Sequence, residues 1–314
     1  MYYIIVNPVA GKGLSTKYLP QLVAAFKKRG LDCKAYITKK PRDGYYAAKR
    51  LCQNYPDCEG IIGMGGDGTI QEIAAGMVDA FILTANPCEK IPIPLGIFPG
   101  GSGNDSVMAL KGGKAAATKY RKNISNVSNT IAEAALKCEF TNIDLIAANN
   151  EAFLVAANMG IDARIVHDAI NLKPKFGGQA YLIAAYKSIM NHENIPMEIH
   201  VNGQTIAKDF TLIAVSNADT YGGGLQISPS AKFDDGKITL CMVNGLSRLK
   251  LGVLFPSLLI KQHVRLKDIN YIECTEFRLT LPRGTETLCK DGNLSPVNGE
   301  IHFKILPGVL DVFA

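Results

Sequence analysis

With 314 residues, 47% of them apolar and 20% charged, the chain has the length of about two globular domains and too many apolar residues for disorder. The net charge of +6 comes without a dense Lys/Arg tract interleaved with aromatics, which argues against a nucleic-acid partner. The eight cysteines show no C-x-x-C pair and no zinc spacing with histidine, so they read as reduced, mostly buried small hydrophobes of a cytoplasmic protein. The opening "MYYIIVNPVAGKG" lacks the basic start of a signal peptide, and no run approaches about 18 apolar residues. Any lipid is therefore expected to be met from the aqueous side.

In chain order, "YYIIVNP" (2–8) predicts a buried strand ended by Asn-Pro, and residues 16–30 a helix closed by Gly30. A strand at 31–38, a helix at 41–55, a strand at 59–66, a helix at 68–81 and a strand at 93–101 follow. This alternation predicts an α/β domain with a parallel, three-layer sheet whose ligands sit at the carboxyl ends of the strands. Residues 114–139 read as a polar, partly helical connection. Beyond about 140, short strands separated by turns predict a mostly antiparallel β-sandwich with a helical insert at 164–190. "IHVNGQTI" places Asn-Gly between alternating residues, the pattern of a tight hairpin. The expected division is 1–125 and 126–304, with 305–314 free to rejoin the first domain.

Three glycine clusters fall after strands one, three and four. "NPVAGKGLS" (7–15) offers Gly11, Gly13 and the mobile cation of Lys12 to a phosphate, or is a plain turn. "GGDGT" is different, because Asp67 would repel a phosphate that the glycines cradle. Either that carboxylate faces a magnesium ion or an attacking hydroxyl, or it caps the helix starting near Thr69. "FPGGSGND" (98–105) offers the hydroxyl of Ser102, the amide of Asn104 and the carboxylate of Asp105, or is a polar turn.

In this order and spacing, "NPVAGKG", "MGGDGTIQE" and "FPGGSGND" resemble the diacylglycerol kinase catalytic-domain family, in a superfamily with sphingosine kinases and NAD kinases. "ANMGIDARIV" (157–166) and "YGGGLQISPSAKFDDGKITL" (221–240) extend the resemblance almost end to end. It implies an ATP- and magnesium-dependent kinase acting on a lipid hydroxyl. By the same resemblance, nucleotide contacts fall on the Asn7–Pro8 turn, on Ala10, Gly11, Lys12, Gly13 and Leu14, and on Thr38. They continue through Gly65, Gly66, Asp67, Gly68, Thr69, Ile70 and Gln71 to Ser102 and its neighbours Asn104 and Asp105. Asp235 takes the place of a magnesium-binding carboxylate, with the carbonyls of Lys232 and Lys237 as co-ligands. Asp67 and Asp291 take the catalytic places.

One position departs from the pattern. Where the family typically has Asp-Gly-Glu, this chain reads "DGN" at 291–293, and the amide of Asn293 cannot accept a proton. Asp291 or Asp67 would then serve, with Glu300 as a displaced alternative. Two other readings stay open: a soluble-substrate kinase such as NAD kinase, and a nucleotide-binding regulator with impaired catalysis. Residues 245–268 carry five cations among leucines, either as a bilayer-facing segment or as a helix packing its leucines inward. The expected partner is a lipid at a membrane surface, bound peripherally, with a homodimer left open.

Overall fold

The computed structural model describes residues 1–55, 57–84, 88–176, 179–259 and 261–314. The first half runs β1 (Tyr2–Val6), α1 (Leu14–Lys28), β2 (Cys33–Ile37), α2 (Asp43–Asn54), β3 (Gly60–Gly65), α3 (Asp67–Phe81) and β4 (Leu95–Pro99). The strands pair in parallel in the order β2-β1-β3-β4. Alternate side chains of a strand point to opposite faces. Tyr3 and Ile5 accordingly pack with Ala47, Leu51, Ile70 and Ile73 from α2 and α3, while Tyr2, Ile4 and Val6 pack with Leu22 and Phe26 from α1. Burial on both faces is why β1 and β3 read as uninterrupted apolar runs.

Three helices follow: α4 (Asp105–Leu110), α5 (Lys114–Lys122) and α6 (Ile124–Lys137). The stretch expected to be a connection is here a sheet-covering helix. Val127, Ile131, Ala132 and Ala135 of α6 form a stripe buried against Leu22, Phe26 and Phe98. Four apolar residues at helical spacing suffice, although Ser, Asn and Lys dominate the composition around them. By packing, α6 belongs to the first half, so a boundary at 125/126 would cut that half's outer layer.

The second half is β-rich: β5 (Thr141–Ala148), β6 (Glu151–Phe153), β7 (Ala156–Gly160), α7 (Ile161–Phe176), α8 (Ala180–Met190), β8 (Ile195–Val201), β9 (Gln204–Ser216), β10 (Thr220–Tyr221), β11 (Leu225–Gln226), β12 (Ile238–Asn244), α9 (Arg248–Leu259), β13 (Ile269–Cys274), β14 (Glu276–Lys290) and β15 (Asn293–Phe313). Its strands run antiparallel in the order β13-β12-β9-β7-β14-β15. Asn202 and Gly203, at φ 49° and 74°, make the two-residue turn between β8 and β9. The core here holds Phe153, Phe210 and the stacked pair Phe277–Phe303, with centroids 4.7 Å apart.

β15 does more than close this core. Its 21 residues pair with β14, cross to β5, and end parallel to β4, with Val312 opposite Leu95 and Phe313 opposite Gly96. One hydrogen-bonded ladder therefore joins the halves. The eight cysteines are all unpaired: Cys58, Cys241, Cys274 and Cys289 are buried, whereas Cys88 and Cys138 are exposed. In the basic 245–268 segment Leu251 is buried and Leu249 exposed, and residue 260 lies outside the described residues. Among the described residues no helix is long and apolar enough to cross a membrane.

Candidate active site

The loop after β1 starts with Asn7, whose Oδ1 accepts the Val9 N–H at 3.1 Å and whose amide donates to the Thr69 hydroxyl at 2.9 Å. Gly11, Lys12 and Gly13 follow with φ of 55°, 61° and 85°. A Cβ on Gly11 would lie 2.2 Å from the Gly100 carbonyl oxygen, so the first and third loops are in contact. The second and third touch as well. The Gly100 N–H donates to the Gly65 carbonyl at 2.9 Å, and a Cβ on Gly101 would lie 2.4 Å from the Gly66 Cα. Three glycine turns thus meet at the carboxyl ends of β1, β3 and β4. α1 and α3 begin at the same edge, and helix N-termini favour anions. Thr38 closes it beside β1, donating its hydroxyl to the Val6 carbonyl at 3.2 Å.

Asp67 does not cap its own helix, whose N-cap is Gly66. Its Oδ2 accepts the Asn104 N–H at 2.7 Å, and its Oδ1 accepts the N–H and hydroxyl of Ser106, both at 3.1 Å. The carboxylate therefore caps α4 and locks the second loop to the third.

Four residues expected to contact a nucleotide have side chains that are otherwise engaged. The Asn104 amide is buried, with both ends spent on the backbone of Gly101 at 2.8 and 2.9 Å. Asp105, 8% exposed, accepts the N–H groups of Gly223 and Gly224 at 3.0 Å and so reaches the second half. Ile70 packs in the core. Gln71, 1% exposed, donates to the Ala152 carbonyl at 2.7 Å. At the mouth, Lys12 and Ser102 are exposed, and among the described residues the Ser102 hydroxyl has no hydrogen-bond partner.

Asp291 arrives from the far half. With Gly292 it forms the two-residue turn between β14 and β15, at φ 46° and 89°. Its carboxylate accepts the N–H groups of Leu154, Val155 and Ala156 at 2.7, 3.0 and 2.9 Å. Burial, with the Asp67 charge adding, nevertheless pushes this carboxyl up to about 7. Asp105 is likewise raised to about 7, by burial first and by Asp67 second. Asp67 therefore sits within the field of both. Asn293, next along the hairpin, donates to the Gly68 carbonyl at 2.9 Å and to the Gln71 Oε1 at 2.7 Å. The missing family glutamate is thus replaced by a crosslink between the hairpin and the helix carrying Asp67. Glu300 stands apart, exposed and 3.8 Å from Arg278.

The glycine run 222–224, at φ 64°, 85° and 92°, was not among the expected site residues, although three adjacent glycines signal such a backbone nest. The backbone donors at 154–156 carry no sequence signal.

Asp235 lies in a different place, in the turn before β12. Its Oδ1 accepts the Lys237 N–H at 3.0 Å, and burial raises its carboxyl, with neighbouring Asp144 contributing. Asp144 in turn accepts from Gly236 and Gly308, both at 2.7 Å. One Asp235 oxygen is left without a hydrogen bond among the described residues, the donor type that an oxygen-loving cation takes. Among the described residues, no three His, Cys, Asp or Glu side chains gather into a metal cluster.

Residues 1–145 match the diacylglycerol kinase catalytic domain, and residues 155–314 match the YegS C-terminal NAD kinase beta sandwich-like domain. The chain belongs to the family that joins a diacylglycerol kinase catalytic domain to a YegS C-terminal domain. A diacylglycerol kinase of Staphylococcus carnosus is 26% identical over 269 residues, spanning 85% of this chain and 80% of that protein. One from Mycobacterium tuberculosis is 26% identical over 285 residues, spanning 86% and 84%. Among solved structures, a diacylglycerol kinase of Bacillus anthracis superposes with a TM-score of 0.71 at 24% identity, covering 99% of this chain and 96% of that one. That likeness shows a shared fold. At the family level the chain is a kinase of the lipid-kinase type.

Proposed function

We propose that the protein transfers the γ-phosphoryl group of ATP, with magnesium, to the hydroxyl of diacylglycerol or a related lipid, acting from the cytoplasmic side of a membrane. The observation that carries this reading is the convergence of three glycine turns on one sheet edge, with Asp67 pinned between them and Asp291 delivered opposite by the second half. The amides of the first and second loops and the Lys12 cation would hold the triphosphate at the rim, with the free Ser102 hydroxyl beside it. Magnesium bound with the nucleotide supplies neutralisation of phosphate charge, and Asp235 with the Lys232 and Lys237 carbonyls would hold a separate ion that steadies the β12 turn.

All three central carboxylates accept loop N–H groups. Asp105 is buried and Asp67 ties the second loop to the third, which leaves half-buried Asp291, on the hairpin from the second half, to take the acceptor's proton. Its value near 7 matches a general base working at neutral pH. As the lipid oxygen bonds to phosphorus and the bond to ADP breaks, the hydroxyl proton passes to Asp291. Asp67 holds the third loop in register and keeps Asp291 basic through like charge. The deciding experiment offers labelled ATP to the protein with dispersed diacylglycerol, a total lipid extract, or NAD. Label in diacylglycerol or another lipid supports the proposal. Label in NAD alone, or in no acceptor, overturns it.

A further inference from the structure

Helix α8 packs the wrong way round for a helix that meets only water. Its buried residues are the small ones, Ala180, Ala184, Ala185 and Ser188. Its large apolar residues point out: Tyr181, Leu182, Tyr186 and Met190 are 50%, 65%, 69% and 48% exposed. Neighbouring α7 adds Ile170 and Phe176, at 51% and 45%. Exposed apolar patches of this breadth mark interaction surfaces, and six side chains across two helices exceed what one lipid head group covers.

The charges nearby select the occupant. Neither α8 nor α9 contains an acidic residue. The acids of α7 are engaged, Asp162 by the Tyr221 hydroxyl at 2.5 Å and Asp168 by Lys187 at 3.0 Å. Lys175, Arg248, Lys261 and Lys267 are exposed and have no ion-pair partner among the described residues. A second copy docked face to face would bring these cations together. Tyrosines among aliphatic side chains with cations around them fit the head-group layer of an anionic bilayer. The face also borders the site: Asp162 in the first turn of α7 accepts the Tyr221 hydroxyl, next to the glycine run that holds Asp105.

We propose that the α7–α8 face, led by Tyr181, Leu182, Tyr186 and Met190, docks the protein on an anionic lipid bilayer beside the cleft. Its purpose rests on the lipid-kinase reading, whereas its test does not. The chain contains no tryptophan, so Leu182→Trp gives a single reporter. With phosphatidylglycerol vesicles its emission shifts to the blue, while Tyr46→Trp on α2 does not respond. The double variant Leu182→Asp, Tyr186→Asp sediments with those vesicles at least about tenfold less than wild type, the loss expected when two buried apolar contacts go. It keeps its melting temperature and its transfer to a water-soluble short-chain diacylglycerol. An unshifted Leu182→Trp, or undiminished sedimentation of the double variant, overturns the proposal. So does light scattering in which wild type is a dimer and the double variant a monomer, because the face is then a contact between copies. Vesicle docking through α8 without phosphorylation of any acceptor leaves docking standing and removes the kinase reading.

Discussion

Asn293→Asp changes one nitrogen to oxygen and tests whether this position is a crosslink or a damaged base. In the wild type both amide hydrogens are used, on the Gly68 carbonyl at 2.9 Å and the Gln71 Oε1 at 2.7 Å. A carboxylate there faces two acceptors. Gln71 cannot relieve the conflict by turning its amide over, because its nitrogen already serves the Ala152 carbonyl. Each buried acceptor stranded in this way costs about 1–3 kcal/mol. Asn293 itself is half-buried, so the sum is taken near the lower end, about 2–3 kcal/mol. At about 2 °C per kcal/mol for a chain of this size, the melting temperature should fall by about 4–6 °C at pH 7.5.

The sign with pH is fixed by the same geometry. Facing two acceptors, the new carboxyl has a raised value in the folded state. The penalty is full above that value and shrinks as pH falls through it, when a protonated oxygen can donate again. Differential scanning calorimetry at pH 5 and pH 7.5, alongside Asn293→Ala, reads this directly. Asn293→Asp should be worse than Asn293→Ala at the higher pH and close the gap at the lower. A variant as stable as wild type at both pH values, with increased phosphoryl transfer, would refute the crosslink and restore the view of Asn293 as a lost base.

Transfer should rise with pH through about 7 as Asp291 ionises, and Asp291→Asn should lower kcat/KM by about 100-fold or more and abolish that limb, read from pH–rate profiles. Asp67→Asn removes the like charge that raises its neighbours, so the carboxyl resonances of Asp105 and Asp291 should titrate at lower pH, measured by carbon NMR. Both groups bind protons more tightly folded than unfolded. Their contribution is full below about 4 and is lost as pH rises to about 7, so the melting temperature should drop across that window and level off above it. Gly101→Ala forces the second and third loops apart, costing about 1–3 kcal/mol and weakening nucleotide binding in calorimetric titration.

The first-half sheet was legible because each strand–glycine–helix step is local: "GMGGDGT" carries strand, turn and helix start within seven residues. The Asn202–Gly203 hairpin was legible for the same reason. What escaped depends on distant partners. Asn104 and Asp105 look like polar groups offered to a ligand, but one is spent on Gly101 and the other on Gly223 and Gly224, more than a hundred residues away. Gln71 and Ile70 belong to the "GGDGTIQ" stretch, yet their side chains face the second half and the core. α6 hides an apolar stripe in polar surroundings. Asp-Gly at 291–292 does announce a tight turn, but not that three amides at 154–156 wait for its carboxylate.

The path of β15 also bears on how the chain is born. Until residues 310–313 emerge from the ribosome, β4 has an open edge, and the first half lacks the strand that flanks it. A nascent first half must wait, with a sticky border, for these residues of β15 to be synthesised. Once they dock, pulling on the C-terminus loads both halves through one strand. Separating the halves by proteolysis or force should therefore unravel them together.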